Sequence, residues 1–219
     1  MPYDPNRHHR RSIRLKGYDY SQAGAYFITL CTQDRACLFG KVVNGEMRLN
    51  DAGRMVLAEW NRLPERFPHL VLDAFVVMPN HVHGILVITD PAPTAGATVG
   101  ATVGATPTVG ATLVVALTAP TVGNIIGAFK SRVTVEYIRG VKTSGWPPFR
   151  GRLWQRNYYE HIIRNERALN AIRQYIMENP RRWQMDREKE ARSASDPLAH
   201  AIWSMPKQEE TDHSLGGEP

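Results

Sequence analysis

Runs of aromatic and β-branched residues alternate along this chain with segments of helical periodicity, and their order restricts the possible folds more than any other feature. Residues 25–32, Ala-Tyr-Phe-Ile-Thr-Leu-Cys-Thr, read as a strand. The stretch 38–49 is centred on Asn44-Gly45, a strong short hairpin signal. Asn50 or Asp51 is placed to cap a helix that ends before Pro64, with Val56, Trp60 and Leu63 facing the core. Residues 70–78 form a second strand. After a turn at Pro79-Asn80, His81-Val82-His83 opens a third that continues through 85–88. Thr121 caps a helix to about Arg139, with Ile126, Phe129, Val133 and Tyr137 on one stripe. Residues 153–163 are a strand or extended segment, and Asn165 caps a last helix that stops at Asn179-Pro180. With the hairpin set aside, the order is βαββαβ plus a terminal helix. That order predicts an α+β, ferredoxin-like (split βαβ) fold: an antiparallel sheet with helices on one face, plus a C-terminal helix.

Two stretches break the pattern. From 91 to 120, Gly-Ala-Thr-Val recurs at Gly96 and Gly100 and decays from Gly104, and no charged residue occurs between Asp90 and Lys130. Sequence this rich in Gly, Thr and Pro does not pack as a helix and reads as a flexible surface insertion. From 193 to 219 the chain is polar and aperiodic, which predicts a disordered tail. The remainder, 1–192, is expected to form one domain. A chain of 219 residues with 42% hydrophobic and 22% charged residues suits a single sizeable core. Cys31 and Cys37 lack the partners of a zinc site or disulfide framework, which fits a reducing compartment. The start has no apolar h-region, and no apolar run reaches the ~18 residues of a membrane span. A cytoplasmic, nucleoid-associated protein is the expectation. The formal charge of +6 favours polyanionic partners.

Two groups of residues carry chemistry. Alternate residues on a strand share a face, so His81 and His83 can reach one ion while Val82 turns away, and Gly84 leaves room beside them. The bland alternative is a pair of surface or core histidines. In the last helix, Ala168, Ala171, Ile172, Tyr175, Ile176 and Asn179 fall on one stripe, with Asn170, Arg173, Gln174 and Met177 opposite. Tyr175 therefore faces the protein, either as a packing residue or as a buried phenol aimed at a partner.

Three blocks occur in a fixed order. Pro79-Asn-His-Val-His-Gly84 comes first. Leu153-Trp-Gln-Arg-Asn-Tyr-Tyr-Glu-His-Ile-Ile-Arg-Asn-Glu166 follows, and then Tyr175-Ile-Met-Glu-Asn-Pro180. This combination resembles the IS200-type, single-tyrosine (Y1) HUH transposases, in particular the REP-associated tyrosine transposase branch. Arg11-Ser-Ile-Arg-Leu-Lys-Gly-Tyr-Asp-Tyr20 and Tyr26-Phe-Ile-Thr29 extend the resemblance to about 11–183, the insertion excepted. The resemblance implies that His81 and His83 are metal ligands, that Tyr175 is the nucleophile, and that Asn179 completes the metal site. Tyr158 and Tyr159 are rival nucleophiles. It implies metal-dependent cleavage and joining of single-stranded DNA through a 5′-phosphotyrosine, with hairpin DNA as substrate. Mg²⁺ prefers oxygen ligands and Mn²⁺ accepts imidazole more readily, and either suits two histidines and an amide. No nucleotide cofactor is expected, since no GxxxxGK[ST] loop is present. A homodimer that exchanges the tyrosine helix is one possible state.

Arg150, Arg152, Arg156 and Arg164 flank the Trp154-Gln155 pair, Lys130 lies on the preceding helix, and Arg11 and Arg14 lie in a basic N-terminal arm. These suit phosphate contacts, with Trp154 or Tyr158 stacking on an unpaired base. The alternative readings are a DNA-binding protein that no longer cuts, and a hydrolase that uses the histidine-held metal to activate water.

Overall fold

A computed structural model describes residues 17–89 and 120–186. In chain order its elements are β1 (Gly24–Cys31), the hairpin β2 (Gly40–Val43) and β3 (Glu46–Leu49), then α1 (Asp51–Asn61) and α2 (Leu63–Arg66). They continue with β4 (Leu70–Val77), β5 (His81–Ile88), α3 (Val122–Ser144), β6 (Tyr159–Ile163) and α4 (Glu166–Glu178). The main sheet has the order β4-β5-β1-β6 with every neighbouring pair antiparallel. Each βαβ unit is thereby split by the central strand of the other, which is the ferredoxin-like arrangement expected from the element order. Arg11, Arg14, residues 91–119 and the 193–219 tail lie outside the described residues.

Local signals account for the element ends. Asn44 (φ 53) and Gly45 (φ 76) are both left-handed, the conformation a two-residue turn between twisted strands needs. Asn50 caps α1, its Oδ1 accepting from Gly53 N at 2.9 Å. Thr121 and Asn124 form a reciprocal capping box at the start of α3. Asn165 caps α4 through Ala168 N at 2.8 Å.

The sheet separates two cores. Tyr26, Ile28 and Leu30 of β1 and Val82, Leu86 and Ile88 of β5 pack under α1 and α3. Phe27 and Ile85 face the other way, into a smaller core closed by Ile172, Tyr175 and Ile176 of α4. The helices of the two split units thus cover one face, and the terminal helix covers the second. Alternation along β5 puts His81 and His83 on the α4 side and Gly84 on the α1 side. The room at Gly84 is therefore not beside the histidines, as the sequence suggested. It is filled by Trp60 of α1, whose ring lies 2.5 Å from where a Cβ would stand and stacks on Phe75 at 4.2 Å.

Candidate active site

β5 delivers the two imidazoles and α4 delivers the phenol. Nε2 of His81 and Nε2 of His83 face each other at 3.1 Å, and Tyr175 Oη lies 3.4 Å from His83 Nε2. Tyr175 meets the His83 ring at a centroid distance of 5.1 Å and Phe27 edge-on at 6.2 Å. All three site residues are fully buried. One chain supplies both the histidine pair and the tyrosine.

Neighbouring polar groups set the imidazoles' orientation. Asn80 Nδ2 donates to the Arg35 carbonyl at 3.1 Å, which fixes the amide and turns its Oδ1 toward His81 Nδ1, 2.8 Å away. Facing an acceptor, His81 Nδ1 must carry the proton, so Nε2 presents its lone pair to the site. Thr29 Oγ1 lies 2.8 Å from His83 Nδ1. With that hydroxyl as acceptor, His83 takes the same tautomer and each Nε2 turns its lone pair toward the centre. Partners of this kind are typical behind metal-binding imidazoles.

A carboxylate completes the cluster. Asp186 Oδ2 stands 3.7 Å from His81 Nε2, and one ligand atom from each of His81, His83 and Asp186 lies within 4.8 Å of the others. Two nitrogens each ~2.1 Å from one ion, at right angles, stand ~3 Å apart, close to the separation found here. Two imidazole nitrogens and a carboxylate, buried together, form an electron-rich pocket that a divalent cation suits. Asn179 is also fully buried, one turn beyond Tyr175, and neither atom of its amide has a hydrogen-bond partner among the described residues. A buried amide left in this state costs free energy unless a ligand engages it, so the donor set fits a metal ion. Asp186 escaped the sequence reading because it follows the turns after α4, where nothing is periodic. Thr29 and Asn80 escaped it because only the fold brings them behind the rings.

The other candidates separate. Tyr159 lies opposite Thr29 on the histidine face, 6.2 Å from the Phe27 ring, whereas Tyr158 packs toward the opposite core. Trp154 does not offer a stacking platform. It is buried between Phe39 and Phe129 at 5.4 and 6.1 Å, because the 153–156 segment lies along the end of β1 and turns this ring inward. Gln155 is taken up by the same seam, its backbone N–H on the Cys31 carbonyl and its Nε2 on the Thr32 carbonyl. Lys130 Nζ donates to the carbonyls of Gln155 and Arg156 at 2.6 and 3.3 Å. Arg150, Arg152, Arg156 and Arg164 are exposed. No helix among the described residues is long and apolar enough to cross a membrane.

No protein-family model matches the chain. Among solved structures it is similar to a REP-associated tyrosine transposase bound to a REP hairpin, with 17% identity, a TM-score of 0.45, and 77% of this chain and 73% of that one covered. It is also similar to a chain described as a candidate transposase from Deinococcus radiodurans R1, with 20% identity, a TM-score of 0.38, and coverage of 76% and 96%. Among curated sequences it matches an uncharacterized protein of Haemophilus influenzae over 188 residues, 84% of this chain and 95% of that protein. At 40% identity over nearly the whole of that protein, the chain belongs to the same family as the Haemophilus influenzae protein.

Proposed function

We propose that the protein cleaves and rejoins single-stranded DNA, with Tyr175 as nucleophile and a divalent metal held by His81, His83 and Asp186, as in DNA transposition. The observation that carries this reading is the 3.4 Å approach of Tyr175 Oη to the Nε2 of a histidine already paired with a second one. The order of the Pro79–Gly84, Leu153–Glu166 and Tyr175–Pro180 blocks supports the same reading. A structural tyrosine at this place has no need of two converging imidazoles, a buried carboxylate and an orphaned amide.

Tyr175 Oη attacks the scissile phosphorus, the bond to the 3′ oxygen breaks, and the products are a 5′-phosphotyrosine and a free 3′-hydroxyl. The phenol proton leaves as the new bond forms and the departing 3′ oxygen takes up a proton, so the net transfer is of one proton from phenol to 3′-hydroxyl. A 3′-hydroxyl from a second strand reverses the step and joins DNA without a nucleotide cofactor. A free phenol titrates near ~10, so Tyr175 depends on positioning beside the cluster to act near neutrality. When bound, the metal supplies charge stabilisation to the phosphate oxygens. Phe27 and the α4 stripe hold the phenol, and Thr29 and Asn80 hold the imidazoles. Asn179 is a candidate further ligand on the same helix. The cluster is closed to solvent, with the Trp183 ring 6.0 Å from that of His81 and Asp186 beside it. Strand entry therefore requires the turn that follows α4 to move aside.

The test is incubation with a single-stranded hairpin library and Mg²⁺ or Mn²⁺, read on denaturing gels. A covalent protein–DNA band is expected, absent with Tyr175→Phe and with His83→Ala, present with Tyr158→Phe and Tyr159→Phe. A band that survives Tyr175→Phe reassigns the nucleophile. Cleavage without any adduct establishes a water-using hydrolase instead.

A further inference from the structure

α3 and the loop leading into β6 enclose a groove of about 460 Å³, within the range of small-ligand sites. Its lining includes Lys130, Val135, Ile138, Phe149, Arg152 and Arg156, and no acidic residue among the described ones. We propose that this groove holds an unpaired nucleotide of the DNA strand, its base against Val135, Ile138 and Phe149 and its phosphate at Arg152 and Arg156. This rests on the reading of the protein as a DNA-processing enzyme.

Four observations support the assignment. Val135 and Ile138 are 51% and 39% exposed, two of the five large hydrophobics that the described residues leave open to solvent. They share one helical face with Lys130, Ser131 and Thr134, so an apolar floor and a cationic end belong to one surface. The walls are fixed: Lys130 Nζ ties α3 to the carbonyls of Gln155 and Arg156, and Trp154 anchors the loop from beneath. The cations also crowd one another: burial first, and then the neighbouring Arg152, push the Lys130 ammonium below its ordinary range. An anion at this end relieves that repulsion.

Position links the groove to the catalytic cluster. Gln155 in its wall bonds Cys31, which is the cross-strand partner of His81. Four residues later Tyr159 stands opposite Thr29, whose hydroxyl meets His83. The groove's wall is thus hydrogen-bonded to the strand edge that pairs with the histidine strand. Paired DNA hides its base faces in the stack, and an apolar floor beside exposed arginines suits an unpaired residue instead. The base platform is then the helix-borne pair Val135 and Ile138 with Phe149, in place of the buried Trp154.

The experiment compares two labelled DNAs by fluorescence anisotropy on the full chain: a blunt hairpin, and the same hairpin with an eight-nucleotide dT extension. Val135→Glu and Arg152→Ala each alter an exposed side chain. Each is expected to weaken binding of the extended hairpin ~10-fold while leaving the blunt hairpin unchanged. Arg152→Ala also lowers the slope of log K against log salt by about 1 for the extended probe alone. Lys41→Ala, on the β2–β3 hairpin and outside the groove's lining, changes neither. Equal losses for both probes, or no loss with either variant, overturn the proposal. A change of oligomeric state in Val135→Glu with DNA binding intact also overturns it, marking the groove as a protein contact. Wild-type protein that forms the Tyr175 adduct while the variants bind normally refutes the groove alone. Wild-type protein that binds neither probe refutes the underlying functional reading.

Discussion

At the residue scale, Asn80 does two jobs with one amide. Its Nδ2 holds the Arg35 carbonyl, and its Oδ1 is thereby committed to His81 Nδ1. Asn80→Ala frees the imidazole to change tautomer, and outer partners of this kind are worth about 10- to 100-fold in metal affinity. Mn²⁺ titration followed by calorimetry is expected to show a loss in that range. A direct ligand should cost more: Asp186→Ala is expected to weaken Mn²⁺ at least as much as Asn80→Ala, and an unchanged affinity removes Asp186 from the ligand set. Gly84 sets a different constraint, since a Cβ there meets the Trp60 ring at 2.5 Å. Gly84→Ala is expected to lower the melting temperature through overpacking, by roughly 1–3 kcal/mol in stability.

At the element scale, α4 must arrive in register or Tyr175 misses the histidines. An ion pair supplies the register. Arg173 Nη2 and Nε reach Asp73 Oδ2 and Oδ1 at 2.6 and 3.0 Å, at the irregularity of β4 between Leu72 and Phe75. The bond from Arg173 holds the Asp73 carboxyl below its ordinary range. A folded-state value lower than the unfolded one means a stabilisation present above about pH 4 and lost as pH falls through the folded value. Asp73→Asn is therefore expected to lower the urea midpoint at pH 7, and its gap from wild type closes below about pH 4. A gap that does not narrow at all as pH falls below about 4 rules out the charge as its source. The sequence made the helix legible, because Asn165 and the apolar stripe of Ala168, Ala171, Ile172, Tyr175 and Ile176 are local signals. Asp73 and Arg173 stand far apart in the chain and announce nothing to each other. α3 shows the same limit. It runs past Arg139 to Ser144 because Gly140, normally a weak point, lies under the Trp146 ring at 2.2 Å from where a Cβ would be. Only tertiary packing reveals that contact.

At the scale of the whole molecule, the site lies on the face of the sheet turned away from α1 and α3. His81 and His83 belong to a central strand, whereas Tyr175, Asn179 and Asp186 belong to the last helix and the turns after it. The β5–α4 pairing was implied by the resemblance that the three sequence blocks carry. The carboxylate was not, since the fold closes the post-helical turn over the sheet without any periodic pattern. A metal bound across this seam acts as a cross-link between the sheet and the C-terminal segment, and binding to the native state alone adds stability by mass action. At a free concentration 100 times Kd that addition is about 2.7 kcal/mol. Mn²⁺ is therefore expected to raise the melting temperature of the wild type and to leave that of His81→Ala unchanged. Hydrogen exchange should localise the effect. Protection gained with Mn²⁺ is expected in α4 and in residues 179–186, with α1 and α3, packed on the opposite face, scarcely altered. Uniform protection over all elements, or the same rise in His81→Ala, places the metal somewhere other than between the histidines and the terminal helix.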